Sequence, residues 1–574
     1  LVVLGRFLPK NQFNMKRPLL FAFLFCFAIQ AFSQACVVST DTAHLDVNNA
    51  RVILQASGDF FWDRSDAGFL TPINEPNLPQ TASIFAGGIW VAGFDGGVNL
   101  KLAAQTYGAS GGNTDFYPGP LDDNGITSNS ACANFDKLWK VGRNDVSNHI
   151  ADFTSDGGID GPVPQSILRW PGRNNPHSLD ANGFELPVDQ DLAPFVDLNG
   201  NGNYEPLLGE YPRFFGDQAI WWVFNDQGGG AVHGETNGNA LQVEIHALAY
   251  AFEGQGDTDL ENTSFYEFQV YNKAAEKLDS AYIGLWLDPD IGCPSDDYVG
   301  CISSEKIAFA YNSDALDGDV GCNCSTFGVN TYCENIPVTA IKVMKGPIGT
   351  NGGDVGFSSF TFASNPVGGA TPWWGLSPYY SLSGKWPDGV PITYGGNGYD
   401  TLSTNYHPFL MDGNPGNSDD WSLCSENLLP SDFRMLIGSG PFDLNPGQST
   451  SVTYAVLNNF DVTHPCPNLQ PLIEMSDEIE TIFGQLSSSE NPISSQSHTQ
   501  FYPNPLVSEG KLSSNGVKIE AVRLFNTNGQ LVRYYHDLKT NELTISSGGL
   551  PAGLYYYAAL LGNGLLATGK IAIQ

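Results

Sequence analysis

Apolar runs of roughly five to eight residues, rich in β-branched and aromatic side chains, recur along the chain between loops of Gly, Asn, Asp and Pro. Residues 83–94 (SIFAGGIWVAGF), 219–224 (AIWWVF), 241–252, 265–271 (FYEFQVY), 281–287 (AYIGLWL) and 452–456 show the pattern. Such runs suit strands, because branched and aromatic side chains pack well on a pleated surface. Helical periodicity is scarce. Residues 472–486 carry Ile473, Ile479, Ile482 and Phe483 on an apolar stripe with acids early, and 145–153 form a weaker candidate. Near the C-terminus, strands are expected over 517–525, 531–535, 543–545, 554–560 and 565–573, with Asn528-Gly529 supplying a hairpin turn. No repeat of about 20–50 residues indicates a solenoid or propeller. The pattern predicts a mainly β protein: a multi-domain body of β-sandwich type with few helices, followed by a small sandwich.

Charge divides the chain further. Residues 1–34 hold no Asp or Glu; Met15-Lys16-Arg17 precedes an apolar run from Leu19 to Ile29, then the small residues Ala31 and Ser33. This is the layout of a secretory signal peptide, with the true start expected at Met15 and cleavage after Ser33 or Gln34. Cys36 offers a lipidation alternative, but the position three before it is Ser33 rather than Leu. Residues 35–498 carry 16 bases against 57 acids, whereas 499–574 carry six against four. That asymmetry, with the Ser-rich stretch between, divides the chain into an acidic β-rich body of two or more subdomains (35–486), a linker (487–498) and a C-terminal unit (499–574). A formal charge of -35 argues against nucleic acid as a partner, since phosphate binding needs clustered Lys and Arg. No later stretch is apolar enough to predict a transmembrane helix in the mature chain.

The sharpest chemical motif is Asp197-Leu198-Asn199-Gly200-Asn201-Gly202-Asn203-Tyr204-Glu205. Oxygen side chains at alternate positions can turn inward on a hard cation, as in an EF-hand loop. Asp197, Asn199, Asn201, Asn203 and Glu205 are the expected calcium ligands. Leu208 stands where the bidentate Glu would be, and Glu210 or Asp217 are candidate replacements. Asp288, Asp290, Asp296 and Asp297, then Asp314, Asp317 and Asp319, and Asp122-Asp123 form less specific acidic loops. Nine cysteines remain after the signal region, five of them between Cys293 and Cys333, which reads as a local disulfide cluster with one thiol left over. The chain has no HExxH or Walker motif, and its nine His form no metal-spaced pair. An enzyme is therefore the lesser expectation, and no catalytic residue is nominated. Trp90, Trp221, Trp222, Trp373, Trp374 and Trp386 leave open a sugar-stacking surface, with core filling the alternative.

Phe501-Tyr502-Pro503-Asn504-Pro505, LFNTNGQLV (524–532), GLPAGLYYY (549–557) and Gly569-Lys570-Ile571 follow one another in order. Together they resemble the type A C-terminal sorting domain of type IX (Por) secretion cargo, an Ig-like β-sandwich. The resemblance marks Tyr502, Pro503, Asn504, Pro505, Gly553, Gly569 and Lys570 as sorting-motif residues. It implies the type IX machinery as partner, passage through the periplasm, and a secreted or outer-surface location with possible attachment to surface lipopolysaccharide after processing. Phrases of the body, among them AGGIWVAG (86–93), APFVDLNGNGNYEP (193–206) and GKWPDGVPITYGGNGY (384–399), resemble a group of such cargo bodies without an assigned activity. The resulting expectation is an exported, calcium-stabilised adhesive or structural β protein. The alternative is a carbohydrate-active enzyme or glycan-binding protein.

Overall fold

The apolar runs fold as the edges and centres of two large antiparallel sheets. The computed structural model describes residues 36–574 apart from 75–79, 97, 255, 319–321, 323, 325–330, 366–374, 488–498, 515–517, 528–529 and 562–565. The signal segment, nearly all of the Ser-rich linker, Trp373, Trp374, Asp319 and the Asn528-Gly529 turn lie outside the described residues. Strand outweighs helix, 39% to 14%, so the chain is mainly β as its patterning indicates.

The first sheet has ten strands. Its centre runs Ser359–Asn365, Asp432–Leu444, Leu278–Asp288, Ala86–Asp95, with Asn99–Ala104 also paired to Ala86–Asp95. The second sheet has nine strands and runs Asp297–Ile302, Ile307–Asn312, Val338–Lys345, Ser449–Asn459, Thr263–Asn272, Val243–Ala251, Gln218–Asn225. The two sheets share one buried core. Phe60 of the first stacks on Phe268 of the second at 5.7 Å between ring centroids, and Phe61 meets Tyr266 edge-on at 5.0 Å. Side chains alternate across the first sheet as the pleat requires. Ile89, Val91, Ile283, Leu285 and Leu287 enter the shared core. Trp90, Tyr282 and Trp286 point the other way, into a second cluster closed by Leu382 of the helix Ser377–Leu382.

Among the described residues the helices are short apart from Arg143–Asp156 and Gln470–Ser487, which cover the two stretches where helical periodicity is legible. Leu472, Met475, Ile479 and Ile482 of the second bury its apolar stripe in the shared core. No described helix is long and apolar enough to cross a membrane.

Three disulfides are present: Cys36–Cys132, Cys293–Cys322 and Cys424–Cys466. Only one lies within the 293–333 cluster, so the expected local disulfide knot is instead one short-range bridge and two that span 96 and 42 residues. Cys301 is buried as a free thiol, and Cys324 and Cys333 are also unbridged. Cys36 spends its sulfur on Cys132, which leaves no thiol for a lipid.

The C-terminal residues build two facing sheets. One is Thr499–Tyr502, Glu509–Ser514, Glu542–Ser546; the other is Leu531–Tyr535, Ile519–Asn526, Gly553–Leu561, Leu566–Ile573. They enclose their own core, which includes Leu512, Val522, Ile545, Tyr557 and Ile571. This unit also docks on the body. Phe525, Leu531 and Ala558 join the body's core, and Arg523, 2% exposed, pairs with Asp257 and Glu478.

Candidate functional site

The loop after Pro194 folds as a ladder of turns. Gly200 and Gly202 sit at φ +74° and +77°, a left-handed backbone that glycine adopts without strain. Asp197 accepts hydrogen bonds from both of their amides at 2.7 Å, and the Gly202 amide is the main reason its carboxyl is held below the usual range. Asn199 and Asn201 each donate through Nδ2 to the same oxygen of Glu205, at 2.9 and 2.6 Å. Asn203 faces away from that point: its Oδ1 accepts from Asn174 at 2.7 Å. The geometry thus brings together Asn199, Asn201 and Glu205, keeps Asp197 at the head of the loop, and turns the Asn203 side chain outward. In an EF-like loop that residue contributes its backbone carbonyl.

Leu208 is half exposed, while Glu210 is fully buried under the loop. Glu210 accepts from the amides of Leu198 at 3.1 Å and Glu205 at 2.7 Å, and burial raises its pKa. It therefore occupies the floor that Leu208 leaves vacant. Asp217, the other candidate, bonds instead to the Glu253 amide at 3.0 Å.

A second group of acids lies at the end of the first sheet. Asp288 ends the strand Leu278–Asp288, Asp290 follows in the next loop, and Asp432 begins the strand Asp432–Leu444. One carboxylate oxygen from each lies within 4.8 Å of the others. Arg434 lies 3.3 Å from Asp288 and also pairs with Asp432, and the Tyr107 hydroxyl donates to Asp288. Burial pushes the Asp288 carboxyl up to about 7 against the pull of Arg434. A third group, Asp296 and Asp317 with Cys293, gathers around the following loop. The Cys293 sulfur is bonded to Cys322, so this group offers oxygen donors alone. Asp317 is already cradled, accepting from the amides of Cys293 at 2.8 Å and of Tyr332. The sequence signals the first two acids of the second group but not Asp432, which reaches them only through strand pairing.

Of the residues expected to mark a sorting domain, the first and last stretches meet on the C-terminal sandwich. Tyr502, Pro503, Asn504 and Pro505 are exposed. Asn504 donates to the Lys570 carbonyl and accepts from the Ala572 amide, both at 2.8 Å, and so ties the first landmark to the last. Gly569 pairs across from Tyr557, and a Cβ there would come within 2.4 Å of the Tyr557 hydroxyl. Gly553 pairs with Ile573 and faces open space. The hairpin landmark at 524–532 lies on the body-facing side, where Phe525 and Leu531 are buried.

Eight of the nine described tryptophans are buried; Trp386 is partly open. Trp386 lies beside Tyr399 at 5.6 Å, and Tyr394, Tyr399 and Tyr406 are 46%, 43% and 60% exposed on the same Gly-rich segment.

No family model matches the chain, and no curated protein matches it. Among solved structures, a polysaccharide lyase aligns over 57% of this chain at 9% identity with a TM-score of 0.16. The chain spans about a third of that protein's length (34%). The adhesin domain of Epf from Streptococcus pyogenes aligns over 57% of this chain and 88% of its own, at 9% identity and a TM-score of 0.11. CopC from Methylosinus trichosporium OB3b aligns over 13% of this chain and 94% of its own, at 20% identity and a TM-score of 0.11. Scores this low carry no argument about fold or activity.

Proposed function

We propose that this chain is an exported cargo of the type IX route, whose acidic body is a calcium-stabilised β protein with an adhesive or structural role at the cell exterior. The observation that supports delivery most directly is the Asn504 bridge. It joins landmarks 66 residues apart into one exposed patch, as a surface read by a secretion apparatus requires. A passive body is supported by eight of the nine described tryptophans, which are buried. The loop headed by Asp197 is the calcium element, with Glu210 completing it from below. The test is deletion of residues 499–574 in the native host. Retention of the body in the periplasm is expected, and normal arrival at the surface would refute the delivery reading.

Glycan binding is the second reading, and the exposed strip of Tyr394, Tyr399 and Tyr406 beside Trp386 favours it. Aromatic faces stack on sugar rings, and the strip lies on a single surface segment. Retention on a panel of immobilised polysaccharides that is lost on Tyr394→Ala and Tyr406→Ala would support this reading. Equal retention of the variants, or none by the native protein, would remove it.

A further inference from the structure

We propose that Asp288, Asp290 and Asp432 form a second cation site, separate from the 197–210 loop, that binds one calcium ion and pins the loop after Leu278–Asp288 to the start of Asp432–Leu444. The argument starts from strand register. Leu287 pairs with Met435 and Trp286 with Leu436. Just past these pairs, Asp288 lies 3.3 Å from Arg434, and a carboxylate oxygen of Asp290 lies within 4.8 Å of one of Asp432. The first pair is complementary. The second sets two carboxylates against each other, an arrangement that cross-strand pairing disfavours.

The local groups do not resolve that conflict. Arg434 serves both Asp288 and Asp432, and Tyr107 Oη accepts from Arg434 Nε at 3.0 Å while donating to Asp288. Three carboxylates and one guanidinium leave two negative charges. Asp290 feels Arg434 only at a distance, too weakly to offset its burial and the neighbouring carboxylates, and its Oδ1 is buried with no hydrogen-bond partner. A buried, unpartnered carboxylate oxygen is strongly unfavourable unless a positive group meets it. One divalent ion supplies the missing charge and the missing partner together.

The chemistry selects the ion. The donors are carboxylate oxygens with no imidazole or free thiolate among them, which suits a hard cation rather than zinc. The three oxygens lie within 4.8 Å of one another, a span that calcium can bridge with its long, flexible coordination at roughly 2.3–2.6 Å, whereas magnesium demands near-ideal octahedral geometry and gives up its waters reluctantly. Behind the site, Asp297 is fully buried with Oδ1 unpartnered, and its other oxygen accepts from the Ile291 amide at 2.9 Å. It adds negative potential directly behind Asp290.

The site also carries its own reporter. Tyr107 touches Asp288, and its ring meets Trp286 edge-on at 5.0 Å, so a bound terbium ion will be excited through these aromatics. The experiment uses the full-length protein carrying Asp197→Asn, which silences the loop, with terbium as probe and calcium or magnesium as competitor. Sensitised emission is expected, displaced by calcium at lower concentration than by magnesium. Asp290→Asn and Asp432→Asn are each expected to weaken calcium competition at least roughly tenfold. Melting is the second measurement. Asp290→Asn relieves repulsion, so the variant in chelator should melt at or above the native protein in chelator, and its calcium-induced rise should shrink. Emission and calcium response unchanged in both variants would overturn the proposal. So would an Asp290→Asn protein that melts lower in chelator yet keeps its full calcium rise. Neither result would bear on the export reading, which deletion of the C-terminal unit tests separately.

Discussion

His233 is expected to make the body's stability fall steeply in mildly alkaline solution. The side chain is 2% exposed, between the first sheet and the loop that follows Gln218–Asn225. Nδ1 lies 2.6 Å from the Leu102 carbonyl and Nε2 lies 2.7 Å from the Asp226 carbonyl. Carbonyl oxygens only accept, so both ring nitrogens must donate and the ring is an imidazolium. Burial alone would lower its pKa. The Asp226 carboxylate at 3.3 Å and the Asp115 carboxylate at 3.8 Å overcome that and raise it to about 9. The unfolded chain releases the same proton near 6.5. Between these values the native state holds a proton that the unfolded state has lost, so stability declines as pH rises, at about 1.4 kcal/mol per pH unit. The contribution is complete below pH 6.5 and gone above about 9, a loss of about 3 kcal/mol across the window. Glu235 faces the same pocket; burial raises its pKa to about 8, and its slope has the same sign. The informative quantity is therefore the difference between the native protein and His233→Gln, in which the Glu235 contribution cancels. Urea unfolding in chelator at several pH values from 6 upward should show that difference shrinking by about 3 kcal/mol. A difference that stays flat with pH would mean that His233 is neutral in the folded state, and would refute the reasoning.

Gly569→Ala forces a Cβ to within 2.4 Å of the Tyr557 hydroxyl, which itself bonds Thr499 at 3.0 Å. A loss of about 1–3 kcal/mol in the C-terminal unit is expected, read as faster proteolysis there with the body unaffected. Arg523→Ala leaves the buried carboxylate of Asp257 without its cation, at a cost of about 3–5 kcal/mol. It should loosen the docked unit, seen as a rise in apolar dye binding, and an unchanged dye signal would mean that apolar packing alone holds the two parts together.

The strands were legible where apolar residues run unbroken. Residues 219–224 sit inside Gln218–Asn225, a strand buried on both faces, which needs a continuous apolar run; 265–271 sit inside Thr263–Asn272, legible instead by alternation, with Glu267, Gln269 and Tyr271 on its half-buried face. Thr499–Tyr502 and Glu509–Ser514 were not legible. Both are polar, the first at the edge and the second at the centre of a three-stranded sheet, and their Gln, Lys and Ser side chains stand at exposed or half-exposed positions that carry no hydrophobic signal. In the loop headed by Asp197 the spacing marked Asn199, Asn201 and Glu205, which the turns bring together, and Glu210, one of two candidate acids, lies beneath them. Asp432 was invisible, since 142 residues separate it from Asp290 and only sheet register brings them together. His233 was invisible for another reason: its closest partners are backbone carbonyls, which leave no mark in sequence.

The charge imbalance leaves buried carboxylates short of partners. A body with 57 acids and 16 bases cannot pair each carboxylate that its sheets bury. Some are paired, as Asp257 is by Arg523 and Asp288 by Arg434. Others rest on backbone amides: Asp115 on those of Ala104 and Glu235, Asp226 on that of Val243, Glu210 on two loop amides. Amide donors are fixed in number, because most are committed to the sheets. Asp290 and Asp297 each keep a buried oxygen that neither solution reaches. Neutral residues there would spare the desolvation cost, and their persistence as carboxylates is what a site for an external divalent ion requires. On the proposed reading, a divalent ion at Asp288, Asp290 and Asp432 would neutralise charge that neither side chains nor amides meet.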